Sequence, residues 1–153
     1  MRDIRELTTE EIAPLIKDDV VRPHLSAEFR TDVGRKVLAL FEGAEPQAVV
    51  CLSFGYGVPT NEDELVSMAR EELAGEFVIV PYTLWSYTKG AGTDLINSVL
   101  EIVRSEYSEA DEKVRPRIVT MSPKTKMAQS FHIKNGAKVL SRNKKTNNFE
   151  YTL

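Results

Sequence analysis

Apolar residues along this 153-residue chain switch repeatedly between a spacing of two and a spacing of three to four. Those switches predict strands alternating with helices. Arg2 to Leu7 alternates weakly, as a strand does. Thr8, followed three residues later by Glu11, reads as a capping box. Ile12, Leu15 and Ile16 then form the stripe of a short helix, which Asp18-Asp19 and Pro23 end. Val37 to Phe41 and Gln47 to Phe54 read as two strands joined by the turn Glu42-Gly43-Ala44-Glu45-Pro46. So short a connection makes an antiparallel hairpin. Gly55, Gly57 and Pro59 stop it, and Thr60 is placed to cap a helix. The first turn of that helix is acidic (Glu62, Asp63, Glu64), which suits the positive end of a helix dipole.

Glu76 to Trp85 is rich in β-formers but contains Pro81, which predicts an edge position or a bulge there. The turn Tyr87-Thr88-Lys89-Gly90-Ala91-Gly92 follows. Leu95, Ile96, Val99, Leu100 and Val103 then mark a strongly amphipathic helix. Arg117 to Met121 reads as a strand. After Pro123 comes a helix with Met127, Ala128 and Phe131, closing on the C-cap signal Asn135-Gly136. Lys138 to Ser141 and Phe149 to Leu153 read as a final hairpin around Asn143 to Asn148. Antiparallel hairpins flanking a β-α-β-α middle predict a mixed α/β fold, with a mostly antiparallel sheet and helices on both faces.

The bulk numbers narrow this picture. The length suits one domain over residues 1–153. A hydrophobic fraction of 42% and a charged fraction of 28% are those of a folded globular protein. A net charge of −3 gives a nucleic-acid-binding role no support. The one cysteine, Cys51, has no partner for a disulfide and sits in an apolar run, as a small core residue does. No apolar h-region marks a signal peptide, and the longest apolar runs are too short to span a bilayer. A cytoplasmic location with no membrane partner is the expectation. His24 and His132 lie far apart in sequence and no second cysteine exists, so no metal site is expected. Exposed edge strands leave room for pairing into a homodimer.

Candidate chemistry begins at the glycine turn. Gly90 and Gly92 carry no side chain, so backbone N–H groups there can close on a bulky anion. The helix that follows points its free N–H groups and positive dipole end at the same spot. Lys89 adds a charge, and Thr88 and Thr93 add hydroxyls. The other reading of a G-x-G is a tight strand–helix connection. A phosphate-binding Walker loop does not fit, because Lys89 precedes Gly90, and a Rossmann fingerprint lacks its third glycine. Two further residues stand out. Ser122 closes a strand, where α/β folds tend to place ligands, or it is a turn hydroxyl before Pro123. His132 lies mid-helix as a structural histidine or as a general acid. The sequence does not show whether the two meet.

The turn and its flanking elements resemble the GNAT superfamily of N-acetyltransferases. That superfamily's acyl-CoA motif is Arg/Gln-x-x-Gly-x-Gly/Ala. Gly90 and Gly92 match the small positions, and Tyr87 replaces the usual Arg or Gln. Ala128 to Gly136 is similar to the A-x-x-L-Y-x-K-x-G-F stretch, with His132 at the tyrosine and Ala137 at the final Phe. A narrower resemblance is to the catalytic domain of malonyl-CoA decarboxylases. Phe131-His132-Ile133-Lys134-Asn135-Gly136-Ala137 resembles its F-H-L-x-N-G-A, and Thr120-Met121-Ser122-Pro123 resembles its S/T-L-S-P. No separate helical domain like theirs is expected within these 153 residues. The chain also lacks the long insertion that separates their Ser and His segments, since only ten positions part Ser122 from His132.

The resemblance implies a GNAT-like sheet whose central strands, near Glu76–Trp85 and Arg117–Ser122, splay apart. It implies a coenzyme A thioester, acetyl-CoA or malonyl-CoA, as the small-molecule partner. Trp85, Tyr87, Thr88, Lys89, Gly90, Ala91, Gly92 and Thr93 would bind it, and Ser122 and His132 would act on it. Decarboxylation would use Ser122 to orient the malonyl carboxylate and His132 to protonate the enolate. Acetyl transfer to an amine would use His132 to protonate the coenzyme A thiolate. A non-catalytic acyl-CoA-binding module would use the cradle alone.

Overall fold

Local hydrogen bonds explain where most of the α-helices begin. The computed structural model describes residues 2–70, 75–108 and 115–153. Strand β1 (Arg2–Glu6) leads to helix α1 (Thr9–Ile12). At its start the Thr8 hydroxyl accepts from Glu11 N–H while the Glu11 carboxylate accepts from Thr8 N–H, the capping box that the sequence predicts. A 3₁₀ stretch (Ala13–Asp18) continues it, and Ser26 caps α2 (Ala27–Arg30). The hairpin β2 (Arg35–Glu42) and β3 (Glu45–Tyr56) is antiparallel. Helix α3 (Glu62–Val66) is capped by Asn61, not Thr60. Asn61 Oδ1 accepts from Glu64 N–H, while Thr60 spends its hydroxyl as a donor to the Glu64 carboxylate. Strand β4 (Phe77–Ser86) precedes α4 (Ala91–Glu106). Then come β5 (Arg117–Val119), β6 (Ser122–Pro123), α5 (Lys126–Lys134), β7 (Lys138–Arg142) and β8 (Thr146–Tyr151).

These strands form one mixed sheet. Its order is β1-β2-β3-β4-β5-β8, with β6 and β7 also bonded to β8. Only β4 and β5 run parallel. The expected 117–121 strand stops at Val119 because Thr120 leaves the regular ladder, and pairing with β8 resumes at Ser122. Its hydroxyl, not its carbonyl, accepts from Phe149 N–H, and its carbonyl accepts from Asn148 Nδ2. Strand β8 starts at Thr146, three residues before the sequence pattern places it, because the polar Thr146, Asn147 and Asn148 are buried and paired to strands on both sides.

Strand β3 divides the core. Val49 and Cys51 face one side with Leu7, Ile12, Leu25, Leu65 and Tyr82. Ala48, Val50 and Leu52 face the other, where α4 buries Leu95, Ile96, Val99 and Leu100. The period of two in β3 thus meets helices on both faces. Cys51 is fully buried, and burial pushes its thiol up to about 11, as for an inert core cysteine. Among the described residues no helix is long and apolar enough to cross a membrane.

Pro81 does not mark an edge. It lies in central β4, between β3 and β5. Cys51 faces Thr83 while Leu52 faces Pro81, so Tyr82 is the extra residue of a bulge. A proline has no N–H to donate and is accommodated beside such a break in the ladder.

Candidate active site

The bulge stands at the wall of a cleft. Strands β4 and β5 pair only through Val78–Arg117 and Ile79–Ile118. Beyond those pairs they separate, and a cleft of about 660 Å³ opens between β4 and the β5–β6 segment. That is the size of a small-molecule site. Its walls come from both faces of the sheet. Asp18, Val20 and Val21 line it from the α1 side, and Gly92, Ile96, Ala128, Phe131 and His132 from the α4–α5 side.

Ser122 and His132 both line this cleft. Ser122 is buried, and its Oγ lies 2.8 Å from Thr120 Oγ1. His132 projects from mid-α5. Its ring stacks on Phe149 at 5.3 Å and meets Phe131 edge-on at 5.2 Å. Its Nδ1 lies 2.7 Å from the Tyr151 hydroxyl. Burial among these rings lowers its pKa from 6.5 to about 4, so the imidazole is neutral near pH 7. Burial raises the Tyr151 hydroxyl as well, leaving a neutral pair. Ser122 and His132 share no hydrogen bond with each other, but both can reach one ligand.

The glycine turn stands at the neighbouring end of β4. Gly90 holds a left-handed φ of +83° at the N-cap of α4, a conformation that favours glycine. A Cβ on Gly92 would lie 3.4 Å from Phe131 Cε1 and 3.6 Å from Leu84 Cδ2. Ala91 N–H is tied to Thr88 O and Asp94 N–H to Gly90 O. The N–H groups of Lys89, Gly90, Gly92 and Thr93 have no acceptor among the described residues. Free donors of this kind at a helix start suit an anion.

The remaining expected cradle residues divide. Trp85 lines the cleft beside Gly92. The Tyr87 ring points elsewhere: its hydroxyl accepts from Trp85 Nε1 at 2.9 Å and donates to Asp18 Oδ2 at 2.8 Å. Burial and that carboxylate push its phenol up to about 12. Thr88 donates to Gln47 Oε1, and Lys89 is exposed. The Ala91 side chain belongs to the core, and Thr93 Oγ1 accepts from Asn135 Nδ2. The turn therefore offers backbone rather than side chains.

Several site groups escape the sequence pattern. Among the described residues, Asp18 is the one Asp, Glu, Lys or Arg side chain lining the cleft. Next to it, Asp19 and Arg30 form a fully buried ion pair at 2.8 Å. Burial alone would raise the Asp19 pKa. The N–H groups of Arg22 and Val21, the Arg30 guanidinium and the Thr83 hydroxyl hold it below its ordinary value. Thr120 carried a usable signal, since i and i+2 on a strand share a face with Ser122. Tyr151 and Arg30 carried none, because each meets its partner across an irregular connection whose spacing follows no helix or strand period.

No protein-family model matches the chain, and no curated protein matches it. Solved structures do. Malonyl-CoA decarboxylase from Agrobacterium vitis superposes with a TM-score of 0.61 at 18% identity, over 84% of this chain and 35% of that one. This chain thus spans about a third of that decarboxylase's length. The PaiA N-acetyltransferase from Thermoplasma acidophilum, in complex with coenzyme A, matches at 14% identity and a TM-score of 0.61, over 100% of this chain and 99% of that one. The GNAT domain of S. lividans PAT matches at 16% identity and a TM-score of 0.64, over 99% and 90%. The fold of this chain is the GNAT fold.

Proposed function

We propose that this chain is an acyl-CoA-using enzyme that decarboxylates a malonyl-type thioester. One observation carries the reading: Ser122 and His132, on different elements, line one cleft that also reaches Gly92. The acyl-CoA acts as the substrate of residues 1–153 working as one domain. Its phosphates lie against the free N–H groups of Lys89 to Thr93, and its thioester arm runs past Gly92 toward Trp85 and Ser122. The bulge at Tyr82 takes part of β4's backbone out of its ladder, and N–H groups there polarise the thioester carbonyl.

The Ser122 hydroxyl, backed by Thr120, orients the malonyl carboxylate. Among the described residues no lysine or arginine lines the cleft, so the one cation that can form beside the carboxylate is a protonated His132, and the carboxylate stays weakly stabilised. Such a setting favours loss of its charge as carbon dioxide. The carbon–carbon bond breaks, and its electrons pass into the thioester enolate. His132 is neutral in the free protein, but a carboxylate beside it raises its pKa and lets it take a proton from solvent. The imidazolium then gives that proton to the enolate α-carbon, with its Nδ1 held by Tyr151.

A second reading is acyl transfer to an amine. The cleft is lined from both faces of the sheet, and Asp18 faces it opposite α5, where an ammonium group would be attracted. Incubation with acetyl-, malonyl- and methylmalonyl-CoA, followed by mass spectrometry, separates the readings. The first expects carbon dioxide and acetyl-CoA from malonyl-CoA alone. Product forming only when an amine is added would replace it with the second.

A further inference from the structure

The separation of β4 from the β5–β6 segment leaves backbone carbonyls without ladder partners inside the protein. Two of them, Tyr82 O and Met121 O, both accept from the guanidinium of Arg22, the second at 3.0 Å. Tyr82 is the bulged residue of one wall, and Met121 immediately precedes Ser122 in the other. Arg22 is itself 5% exposed and is held in turn. Asp19 Oδ1 accepts from its backbone N–H, and Arg30 donates to its carbonyl at 2.7 Å. Glu62 lies 3.7 Å from its Nε. The planar fork therefore occupies the place of the missing interstrand hydrogen bonds.

We infer that Arg22 is a positioning residue that fixes the separation of the cleft walls, and with it the placement of Ser122 against the bulged backbone at Tyr82. This rests on the acyl-CoA reading of the cleft but not on which reaction follows. A lysine at this position keeps the charge yet offers one ammonium point in place of a two-pronged fork, so it cannot hold both carbonyls in the same geometry. The phosphate turn at Lys89 to Thr93 lies outside this linkage and should be untouched.

The test compares Arg22→Lys and Arg22→Gln with the unaltered protein. Folding is checked by circular dichroism and thermal melting. Calorimetry measures binding of coenzyme A and of adenosine 3′,5′-bisphosphate, the part of coenzyme A that carries no pantetheine arm. Steady-state kinetics use whichever thioester the unaltered protein turns over. Both variants should stay folded and bind the bisphosphate as before. Turnover should fall roughly a hundredfold, the order expected for a misplacement of about 1 Å, with kcat falling more than KM rises. Coenzyme A should bind more weakly. Variants that match the unaltered protein in kcat and in coenzyme A binding would overturn the assignment. So would loss of folding in both variants, which would make Arg22 a folding residue. An unaltered protein that binds neither probe would overturn the acyl-CoA reading itself, and this inference with it.

Discussion

The Nδ1 of His132 lies 2.7 Å from the hydroxyl of Tyr151, a contact between mid-α5 and the end of the last strand. Both groups are buried, and burial is what lowers the imidazole pKa from 6.5 to about 4. The lowered value fixes a sign. Between those two pH values the unfolded chain binds a proton that the folded chain does not. Stability from this group is therefore fully present above pH 6.5 and is lost as pH falls toward 4. The full loss is on the order of 3 kcal/mol. Denaturant titrations from pH 7 to pH 4 should show a steeper loss in the wild type than in His132→Gln. In NMR, the His132 ring should stay neutral down to about pH 5 in the free protein. A ring titrating near 6.5 would contradict the buried setting.

The glycine turn predicts a split between two substitutions. Gly90→Val must force a branched side chain into a φ of +83°, so it should lower the melting temperature as well as coenzyme A affinity. Gly92→Val has ordinary backbone angles but pushes methyl groups toward Phe131 and the cleft. It should keep most of its stability and still lose coenzyme A binding. Calorimetry showing unchanged affinity in both would refute the cradle.

The two cleft residues should differ in what they do to the rate. His132→Ala should cut malonyl-CoA turnover by about 10²–10⁴-fold while coenzyme A affinity changes little. Ser122→Ala should damage malonyl-CoA turnover more than any acetyl transfer, because only the malonyl group has a carboxylate to orient. Single-turnover assays of both variants check this, and intact malonyl-CoA turnover in both would remove the pair from the chemistry.

The Asp19–Arg30 pair should matter for folding. Both side chains are fully buried, so removing one leaves the other's charge without its partner. Arg30→Met or Asp19→Asn should each cost about 3–5 kcal/mol in denaturant unfolding. A loss below 1 kcal/mol would mean that water reaches the pair.

The sequence by itself determined the elements whose signals are local. The Thr8–Glu11 capping box, the β2–β3 hairpin, the stripe of α4 and the Asn135 C-cap each lie within a few residues, and each formed as its pattern predicts. Periodicity and capping act over one or two turns, so a single sequence carries them in full. Where a local signal allowed two outcomes, the neighbours decided. Pro81 could mark an edge or a bulge, and flanking strands on both sides left only the bulge. Thr60 could cap α3, but Asn61 reached the Glu64 N–H instead. The motifs also brought Ser122 and His132 forward as candidates, yet only the tertiary structure placed them in one cleft. It alone joined Asp19 to Arg30, Arg22 to Tyr82 and Met121, and His132 to Tyr151. The physical reason is separation along the chain. Burial, ion pairing and the pKa values they set depend on groups that meet only after the sheet has closed, and no spacing in the sequence records which distant groups those will be.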